Sequence, residues 1–335
     1  MAVGAPEVLI IGAGVMGLTA GVRLAEHGIP VRVRTDRRPA ETTSAAAGAM
    51  WDPIFANHLR VPDWGQQTFR ILTGLAAAGR PEVRLVRGIE ASRSLRVVPE
   101  CRQAATACAS SRPPDGFRSA WRYEVPVVDM PRYLAYLERR LLAAGGRIEM
   151  ARVESIDQAV RDFGIVVNCS GTGARSLVPD DKVESVRGEL VVVRNPGIAE
   201  FFLEYTDRLE EMTYLLPQGD LLLLGGSAEA KGPHAEVDPA VAAGILARCA
   251  AVEPRVAGAE IVELRIGHRP QRPEVRLEIE KRTGGYVVHN YGHGGAGVSL
   301  SWGCAEEVVA QVTTVWTGDR GTVTTPKRLL PPIAG

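Results

Sequence analysis

Short apolar runs alternate with amphipathic stretches at the start of the chain. Residues 8–11 read Val-Leu-Ile-Ile and predict a strand that is buried on both faces. From Leu18 to His27 the apolar positions recur at helical spacing, and Gly28 follows as a helix-terminating residue. A second apolar run, Ile29–Val33, comes next. The pattern predicts a strand, a helix and a second strand.

The turn between the first strand and the helix reads Gly12-Ala13-Gly14-Val15-Met16-Gly17. Glycines there permit a tight turn and a close backbone approach to a pyrophosphate, and the helix N-terminus presents unpaired N–H groups to the phosphates. Asp36 follows a second strand, where an acid can bind the ribose hydroxyls. These features predict a dinucleotide site that suits FAD and NAD equally well. The alternative is a purely structural glycine-rich turn.

Small and hydroxylated residues dominate the stretch Thr42–Trp51. Small side chains let the backbone lie against a flat or charged group, and hydroxyls can bind phosphate. The ordinary interpretation is a helix capped by Ser44, which is compatible, since a capped helix N-terminus is itself an anion site. Arg37 and Arg38 suit either a 2′-phosphate or a solvated basic pair, and the basic pair is favoured.

The middle of the chain alternates between strand and helix patterns. A strand at Ile165–Cys169 runs into Ser170 and Gly171, which predicts a return to the carboxyl edge of a parallel sheet, where nucleotides bind. The stretch Cys101–Gly116 is rich in Ser, Ala, Pro and Gly and predicts a loop. Further helices are predicted at Asp63–Leu75, Pro131–Ala144 and Pro239–Val252, and further strands at Val83–Val86 and Ile148–Val153.

From Gly188 to Arg269 short apolar strands follow one another, which indicates an antiparallel sheet inserted into the nucleotide-binding part. A hairpin turn is predicted at Pro217–Asp220. The predicted strands are Leu190–Val193, Phe201–Tyr205, Thr213–Leu216, Leu221–Leu224 and Ile261–Ile266.

A second glycine-rich loop lies near the end of the chain. The strand Tyr286–His289 runs into the loop Asn290–Ser299, and a helix is predicted from Leu300 to Val312. A protein that binds only NAD does not need a second helix N-terminus. A flavin ring that lies on backbone amides needs a second helix N-terminus, because N–H groups and a helix dipole stabilise charge on the reduced ring. The loop therefore favours FAD.

Arg269 is the candidate group for binding a substrate. The segment Gly267–Pro273 ends a predicted strand and contains two prolines, so it holds the guanidinium rigidly, and a rigid fork suits a carboxylate. Tyr214, which begins a Tyr-Leu-Leu-Pro strand, is a candidate second contact, with half-buried packing as the alternative. Arg272 is interpreted as structural.

Composition narrows the classes of function. The 335 residues carry 39 basic and 39 acidic side chains, which gives no argument for nucleic acid. No apolar run reaches the length of a membrane span, and the N-terminus begins a strand rather than a signal peptide. The five cysteines lack C-x-x-C spacing, and the six histidines lack metal spacing. We expect reduced thiols, no metal and a cytoplasmic location, with His289 and His293 ordering the loop rather than acting as acid–base groups.

These segments together resemble the D-amino-acid oxidase family of the FAD-dependent, glutathione-reductase-like superfamily, nearly end to end. The most specific matches are His289–Gly295 and Arg269–Pro273. The resemblance implies an α/β fold, in which a Rossmann-like FAD-binding domain carries an interleaved α+β substrate domain built on an antiparallel sheet. The FAD-binding domain would comprise residues 1–50, 126–187 and 267–330, and the substrate-binding domain residues 51–125 and 188–266.

The resemblance also implies roles for individual residues. Arg269 and the Tyr214 hydroxyl would hold a substrate carboxylate, and the Gly295 carbonyl would accept from the substrate amine. Gly12, Gly14 and Gly17 would face the pyrophosphate. The whole cofactor-binding set is Gly12, Gly14, Val15, Met16, Gly17, Asp36, Arg37, Thr42, Thr43, Ser44, Gly48, Ala49, Met50, Val153, Ser170, Gly171, Gly294, Gly295, Ala296, Gly297, Val298 and Ser299.

Some positions depart from the pattern of the animal members. Glu210 stands where they have a second tyrosine, four residues before Tyr214, and the lid segment Asp207–Thr213 is short. Ala296 replaces a tyrosine, and Asp52 replaces a glutamine. These departures concern the pocket for the substrate side chain rather than the flavin site.

The implied activity is oxidative deamination of D-amino acids. Hydride would pass from the substrate Cα to flavin N5, dioxygen would reoxidise the flavin to give hydrogen peroxide, and water would convert the imino acid to a 2-oxo acid and ammonia. A D-aspartate oxidase, which would want one more basic group such as Arg208 or Arg265, and a glycine or secondary-amine oxidase are alternatives. A non-catalytic flavin-binding accessory protein is the alternative of a different class. The oligomeric state is not readable from the residues, and a homodimer is one compatible assembly.

Overall fold

The computed structural model describes residues 7–97, 106–206, 208–229 and 236–320. The strands are β1 Val8–Ile11, β2 Val31–Thr35, β3 Val83–Ser92, β4 Thr106–Ser110, β5 Ser119–Val128, β6 Arg147–Met150, β7 Ile165–Asn168, β8 Glu184–Arg194, β9 Phe201–Glu204, β10 Tyr214–Gln218, β11 Leu221–Gly225, β12 Ile261–Arg282 and β13 Gly285–His293. The helices are α1 Val15–Glu26, α2 Val61–Ala77, α3 Met130–Ala143, α4 Ile156–Phe163, α5 Ala174–Leu177, α6 Pro239–Val252 and α7 Gly297–Arg320.

One end of the sheet is parallel, as the opening strand–helix–strand pattern predicts. β1 lies between β2 and β7, with β6 beyond β2 and β13 beyond β7, and all these pairs are parallel. All four residues of β1 are buried, which explains why the strand reads as an unbroken apolar run. α1 packs between α3 and α7 on one face of this end. The carboxyl ends of five strands therefore meet at one edge.

The other end of the sheet is mainly antiparallel and covers the middle of the chain. Its strands follow the order β4-β5-β3-β9-β10-β11-β8, and β12 connects them to β13, so the described strands form one continuous sheet. Within it only β3 and β9 run parallel to each other. This arrangement confirms the predicted α/β fold with an added antiparallel sheet.

The strand β12 differs from its prediction. We expected a strand at Ile261–Ile266 that ended in a loop at Gly267–Pro273, but β12 runs unbroken from Ile261 to Arg282, across the predicted domain boundary at residue 267. Its first part pairs with β8 and its second part with β13. Pro270 fits because a residue near a change of strand partner can do without an N–H donor.

Several local predictions are corrected in the same way. The predicted loop Cys101–Gly116 contains β4, whereas residues 101–105 lie outside the described residues. β13 extends to His293, so the second glycine-rich loop is shorter than Asn290–Ser299, and α7 begins at Gly297 rather than Leu300. The predicted helix after Thr42 is a 3-10 turn, Thr43–Ala46, and Ser44 does not cap it. Other predicted elements are confirmed, and α6 has the predicted bounds.

No helix among the described residues is long and apolar enough to cross a membrane. The buried Cys169, Cys249 and Cys304 are free thiols, and Cys101 lies outside the described part of the chain. In that same part, no group of three or more His, Cys, Asp and Glu side chains is placed to hold a metal ion.

Candidate active site

A cavity of about 700 Å³ opens at the carboxyl edge of the parallel strands. Gly12 follows β1, Asp36 follows β2, Ser170 lies just beyond β7 and Gly294 follows β13, so four strand ends supply its wall. Most of the predicted site residues line it: Gly12, Gly14, Val15, Met16, Asp36, Arg37, Thr42, Thr43, Ser44, Gly48, Ala49, Met50, Ser170, Gly171, Tyr214, Arg269, Gly294, Gly295, Gly297 and Val298.

The first glycine-rich turn forms one end of this cavity. Gly12 has φ +102°, and a Cβ there would lie 2.6 Å from the Cys169 carbonyl oxygen, so only glycine fits. A Cβ at Gly14 would lie 3.0 Å from the Ser44 hydroxyl. That hydroxyl accepts a hydrogen bond from the Val15 N–H at 3.0 Å, at the start of α1. Ser44 thus lies beside the N-terminus of α1, which is predicted to bind phosphate, and accepts one of its N–H groups.

The small-residue stretch is attached to β12 beside this turn. The Thr43 hydroxyl accepts from the His268 N–H at 2.7 Å and donates to the His268 carbonyl at 3.2 Å. This clasp places Thr42–Met50 along the cavity between the glycine-rich turn and Arg269.

The N-terminus of α7 meets the N-terminus of α1 in the same cavity. A Cβ at Gly297 would lie 3.9 Å from both the Met16 sulfur and Val15 Cγ1. Gly294 has φ +53°, and a Cβ at Gly295 would lie 3.5 Å from the Phe55 side chain and 3.7 Å from Arg269 Cδ. Because the first turn of a helix leaves its N–H groups without intrahelical partners, the two termini together present a row of donors.

Four predicted site residues do not line the cavity. Gly17 packs against the Gly12 carbonyl, so its role is close packing of α1 on β1 rather than facing a pyrophosphate. Val153 packs against an apolar cluster below the sheet, and Ala296 is fully buried. The buried Ser299 hydroxyl accepts from the Asp52 N–H at 2.7 Å, which holds the segment after Met50 in place.

The residues present fit a dinucleotide. The turn at Gly12 and Gly14 leaves no room for side chains, so the backbone itself is what a bound group would meet. Asn290 is one of the residues of the wall, and its buried Oδ1 has no hydrogen-bond partner among the described residues. Such an orphaned acceptor indicates a missing donor from a bound group. Asp36 lies exposed at the rim, where its carboxylate can meet ribose hydroxyls.

Arg269 lies in the wall of the cavity. One of its nitrogens, Nη1, donates to the Ser227 carbonyl at 2.9 Å. The guanidinium lies against Gly188, since a Cβ there would be 2.6 Å from Arg269 Cζ and would overlap Nη1. Arg272, in contrast, donates to Asp180 at 3.0 Å, which supports its structural interpretation.

The Tyr214 ring lies on a second glycine surface. A Cβ at Gly225 would overlap the ring, and one at Gly226 would lie 2.9 Å from Cε1. On the other side, a Cβ at Gly48 would lie 3.4 Å from the hydroxyl. Burial raises the pKa of Tyr214, although the nearby Arg269 charge opposes the shift, so the phenol remains protonated and able to donate.

Apolar side chains that the sequence analysis missed surround this pair. Leu190, Leu203, Met212 and Leu216 line the cavity. The alternation of side chains along a strand does place Tyr214 and Leu216 on one face of β10. Leu203 lies directly opposite Tyr214 on the neighbouring strand. Only the strand register shows that this face meets the cavity.

The charged residues considered for an acidic substrate lie elsewhere. Arg208 is exposed and pairs with Glu210 and Glu211. Arg265 pairs with Glu263 at 2.8 Å and is not part of the cavity wall. Among the described residues, Arg269 is therefore the cation next to the apolar part of the cavity.

The two histidines of β13 are held by hydrogen bonds. His289 Nε2 lies 2.8 Å from Glu280, and burial lowers its pKa even though that carboxylate opposes the shift. His293 Nε2 lies 3.6 Å from the Cys304 sulfur, and burial lowers its pKa to about 3. His293 is therefore neutral at physiological pH, in keeping with a loop-ordering role.

Comparison with known proteins places the chain in a family. Residues 7–311 match the family model described as FAD dependent oxidoreductase. The D-amino-acid oxidases of Rubrobacter xylanophilus and Streptomyces coelicolor are 46% and 44% identical to it, over 90% of this chain and 94% and 95% of the relatives. Human D-aspartate oxidase is 32% identical over 92% of this chain and 94% of that protein.

A solved structure agrees on the fold. Glycine oxidase from Geobacillus kaustophilus superposes with a TM-score of 0.77 at 21% identity, covering 97% of this chain and 99% of that structure. The architecture, the cavity at the strand ends and the extended sequence identity lead to one conclusion. The chain belongs to the FAD dependent oxidoreductase family.

Proposed function

We propose that this protein oxidatively deaminates D-amino acids to 2-oxo acids, with release of ammonia and reduction of dioxygen to hydrogen peroxide. The observation that carries the proposal is the placement of the Arg269 guanidinium and the Tyr214 phenol in the cavity that also receives two helix N-termini. The names of its relatives, D-amino-acid oxidases at 44–46% identity, support the same reaction.

FAD would be held along the length of the cavity. The turn at Gly12–Val15 with Ser44 would receive the pyrophosphate, Asp36 the ribose, and Gly294–Val298 the isoalloxazine ring. Bound FAD supplies a two-electron acceptor next to Arg269. Residues 1–50, 126–187 and 267–330 would form the FAD-binding domain, and 51–125 and 188–266 the substrate-binding domain.

The protein's own contribution is to bind and orient the substrate. Arg269 pairs with the substrate carboxylate through its fork, and the protonated Tyr214 hydroxyl donates a further hydrogen bond. The Gly295 carbonyl accepts from the amine, which holds a second substituent of the substrate Cα. Orientation of this kind provides a large share of a rate enhancement.

A side-chain base is not required in this scheme. His293 is neutral and buried beside Cys304, and the substrate enters with its amine unprotonated. The substrate loses two electrons and two protons overall to give an imino acid, and dioxygen takes up the same number to give hydrogen peroxide. Water then adds to the imine carbon, and ammonia leaves.

The test is a peroxide assay on the protein supplied with FAD, across D- and L-amino acids. We expect peroxide and ammonia in equal amounts from D-amino acids, and none from the L-enantiomers. If the protein binds FAD but forms no peroxide with any amino acid, the non-catalytic accessory protein is the correct alternative.

The apolar wall around Tyr214 predicts the class of substrate side chain. Leu190, Leu203, Met212 and Leu216 suit neutral side chains. The family resemblance implies a short lid at Asp207–Thr213, of which Asp207 lies outside the described residues, and a short lid would leave room for large side chains. We expect D-methionine and D-phenylalanine to be oxidised at least as well as D-alanine, and D-aspartate poorly, because its second carboxylate would be desolvated without a cation. Measured kcat/KM values check this, and a strict preference for D-alanine or for D-aspartate would contradict it.

The ribose contact predicts an effect on cofactor affinity alone. Asp36→Ala removes hydrogen bonds to a charged acceptor, which should weaken FAD binding by about 1.5–3 kcal/mol. Turnover at saturating FAD should change little, because Asp36 lies at the rim, away from Arg269. Fluorescence titration of the apoprotein with FAD measures the affinity. The adjacent Arg38→Ala is the control, since Arg38 is exposed and is not part of the cavity wall.

The buried free thiols of Cys169, Cys249 and Cys304 support a reducing compartment such as the cytoplasm, since unpaired buried cysteines are typical of cytosolic proteins.

A further inference from the structure

A line of hydrogen bonds crosses the sheet from β12 through β13 to β7. Glu280 Oε2 lies 2.8 Å from His289 Nε2, and His289 Nδ1 lies 3.4 Å from Asn168 Nδ2. Asn168 Oδ1 then accepts from the Ser170 N–H at 3.2 Å and from the Ser170 hydroxyl at 2.7 Å. His289 and Asn168 are fully buried and lie side by side where β13 pairs with β7. The line therefore leads from a partly exposed carboxylate to Ser170 in the cavity wall.

This arrangement determines which ring nitrogen of His289 carries the proton. Because Asn168 Oδ1 receives both hydrogen bonds from Ser170, the amide NH2 is the group that faces His289, and an NH2 group only donates. His289 Nδ1 is therefore the acceptor, and the ring proton lies on Nε2, from which it is donated to Glu280. Burial lowers the pKa of His289, although Glu280 opposes the shift, and this keeps the ring neutral.

Two arginines fix Glu280 as an acceptor. Arg282 Nε donates to Glu280 Oε1 at 2.8 Å, and Arg276 Nη2 donates to Oε2 at 3.4 Å. Arg276 is itself held in place, because its Nη1 donates to the Tyr291 hydroxyl at 2.8 Å. Neighbouring cations favour the ionised carboxylate, which has no proton to donate. Glu280 thus selects the tautomer of His289 that carries its proton on Nε2.

The far end of the line packs against the first glycine-rich turn. A Cβ at Gly12 would lie 2.6 Å from the Cys169 carbonyl oxygen and 3.5 Å from Ser170 Cα. Ser170 follows Asn168 by two residues, and an Asn side chain that bonds the backbone two residues further on fixes a turn. A displacement of Ser170 would therefore reach Gly12, the position proposed to receive the pyrophosphate.

We propose that His289 is a positioning residue for the nucleotide half of FAD, and that it acts through Asn168 on the turn at Ser170. With its proton on Nε2, His289 accepts from the Asn168 amide through Nδ1, which keeps Asn168 Oδ1 directed at Ser170. Half a turn of the amide would instead direct its NH2 group at the Ser170 N–H, where two donors would face each other. His289 and Asn168 do not line the cavity, so the effect reaches the cofactor through Ser170 and Gly12. This role of His289 rests on the proposed placement of FAD in the cavity.

The first test compares two replacements of His289 by fluorescence titration of the apoprotein with FAD. His289→Leu leaves the buried Asn168 amide without an acceptor, so the amide is free to turn and release Ser170. His289→Asn supplies an amide oxygen close to the Nδ1 position and restores the acceptor. We expect the Kd for FAD to rise about tenfold in His289→Leu and to stay within about twofold of the wild-type value in His289→Asn. Both variants lose the bond to Glu280, so a general loss of stability would affect them alike.

A second test uses ADP, which carries the adenosine and the pyrophosphate without the flavin. Its Kd should rise in His289→Leu by the same factor as the Kd for FAD. Asn168→Ala tests the same step without changing His289, and the loss of the Ser170 acceptor should weaken FAD and ADP about tenfold. Asn195→Ala is the matched control, because Asn195 Oδ1 also accepts from a backbone N–H two residues on, at 3.1 Å, but its turn is not part of the cavity wall. Both affinities should be unchanged in this control.

The protonation of His289 gives a readout that does not depend on affinity. Nitrogen NMR of protein with isotopically labelled histidine, assigned through the signals lost in His289→Asn, should show a neutral ring protonated on Nε2. Asn168→Asp places a carboxylate beside Nδ1, so His289 should become the doubly protonated imidazolium between two carboxylates.

Two outcomes would overturn the role of His289. One is a wild-type ring protonated on Nδ1, and the other is an equal affinity for FAD in His289→Leu and His289→Asn. Peroxide formation tests the proposed reaction separately, because these variants leave Arg269 and Tyr214 unchanged. FAD affinities in the expected order without peroxide formation would refute the reaction and support the positioning role.

Discussion

Replacing Arg269 by alanine is expected to lower kcat/KM for D-amino acids by about 30- to 4,000-fold. Arg269 is the cation beside the apolar wall of the cavity, so the substrate carboxylate would be left desolvated and without its partner. Losing one member of such a pair typically costs about 2–5 kcal/mol, which gives that range if the whole cost appears in the transition state. Steady-state kinetics at saturating FAD measure it.

Two further variants separate charge from geometry. Arg269→Lys keeps the charge but loses the bidentate fork, so it should recover only part of the activity. Tyr214→Phe removes one hydrogen bond to a charged group and should cost about 1.5–3 kcal/mol. All three variants should retain FAD, because neither residue is assigned to the cofactor. Near-full activity of Arg269→Ala would mean that the carboxylate is held elsewhere.

The dinucleotide end of the site was predictable from the sequence because its chemistry depends on local backbone. Gly12 needs φ +102° and has no room for a Cβ, and these demands appear as glycine in a short motif between a strand and a helix. The strand Val8–Ile11 was predictable for the same reason, since a strand buried on both faces leaves a continuous apolar run. The role of Arg269 was argued from its two neighbouring prolines and, like that of Tyr214, is implied by the family resemblance; both roles remain predictions.

The apolar wall and the long strand were not predictable because they depend on pairing between distant segments. Leu203 reads as an ordinary core residue, and only the pairing of β9 with β10 brings it opposite Tyr214. The two prolines in Gly267–Pro273 suggested a loop, but they lie where β12 changes partners from β8 to β13. Ser44 looked like a helix cap, and its hydroxyl instead bonds the N–H of Val15, 29 residues away in sequence.

Gly188 must be a glycine because of its contact with Arg269, and no sequence motif predicted this requirement. A Cβ at this position would overlap Arg269 Nη1 and lie 2.6 Å from Cζ, so alanine must push the guanidinium off its seat and break its bond to the Ser227 carbonyl. Because the displaced atoms are the end of a flexible side chain, the fold can absorb the change. The carboxylate-binding geometry cannot, since a displacement of about 1 Å at a reacting site can cost on the order of 100-fold.

Gly188→Ala is therefore expected to lower kcat/KM by on the order of 100-fold, mainly through a raised KM, while FAD binding is unchanged. Its free energy of unfolding should stay close to the wild-type value, because the gain of about 0.4–1 kcal/mol from the lower entropy of the unfolded chain offsets part of the lost hydrogen bond to Ser227. Loss of activity with retained stability distinguishes a displaced Arg269 from a damaged fold.

The matched control is Gly267→Ala, on the neighbouring strand. Gly267 pairs with Gly188 between β12 and β8, but a Cβ there would meet Ala46 Cβ at 3.5 Å and the Thr43 carbonyl at 3.7 Å, which are ordinary contacts. Gly267 lines the same cavity, but alanine there should leave the Arg269 guanidinium in place against Gly188. Binding of a carboxylate without an amine, such as propionate, should weaken in Gly188→Ala and not in Gly267→Ala. If both variants keep wild-type kinetics, Arg269 binds substrate from a position other than its seat on Gly188.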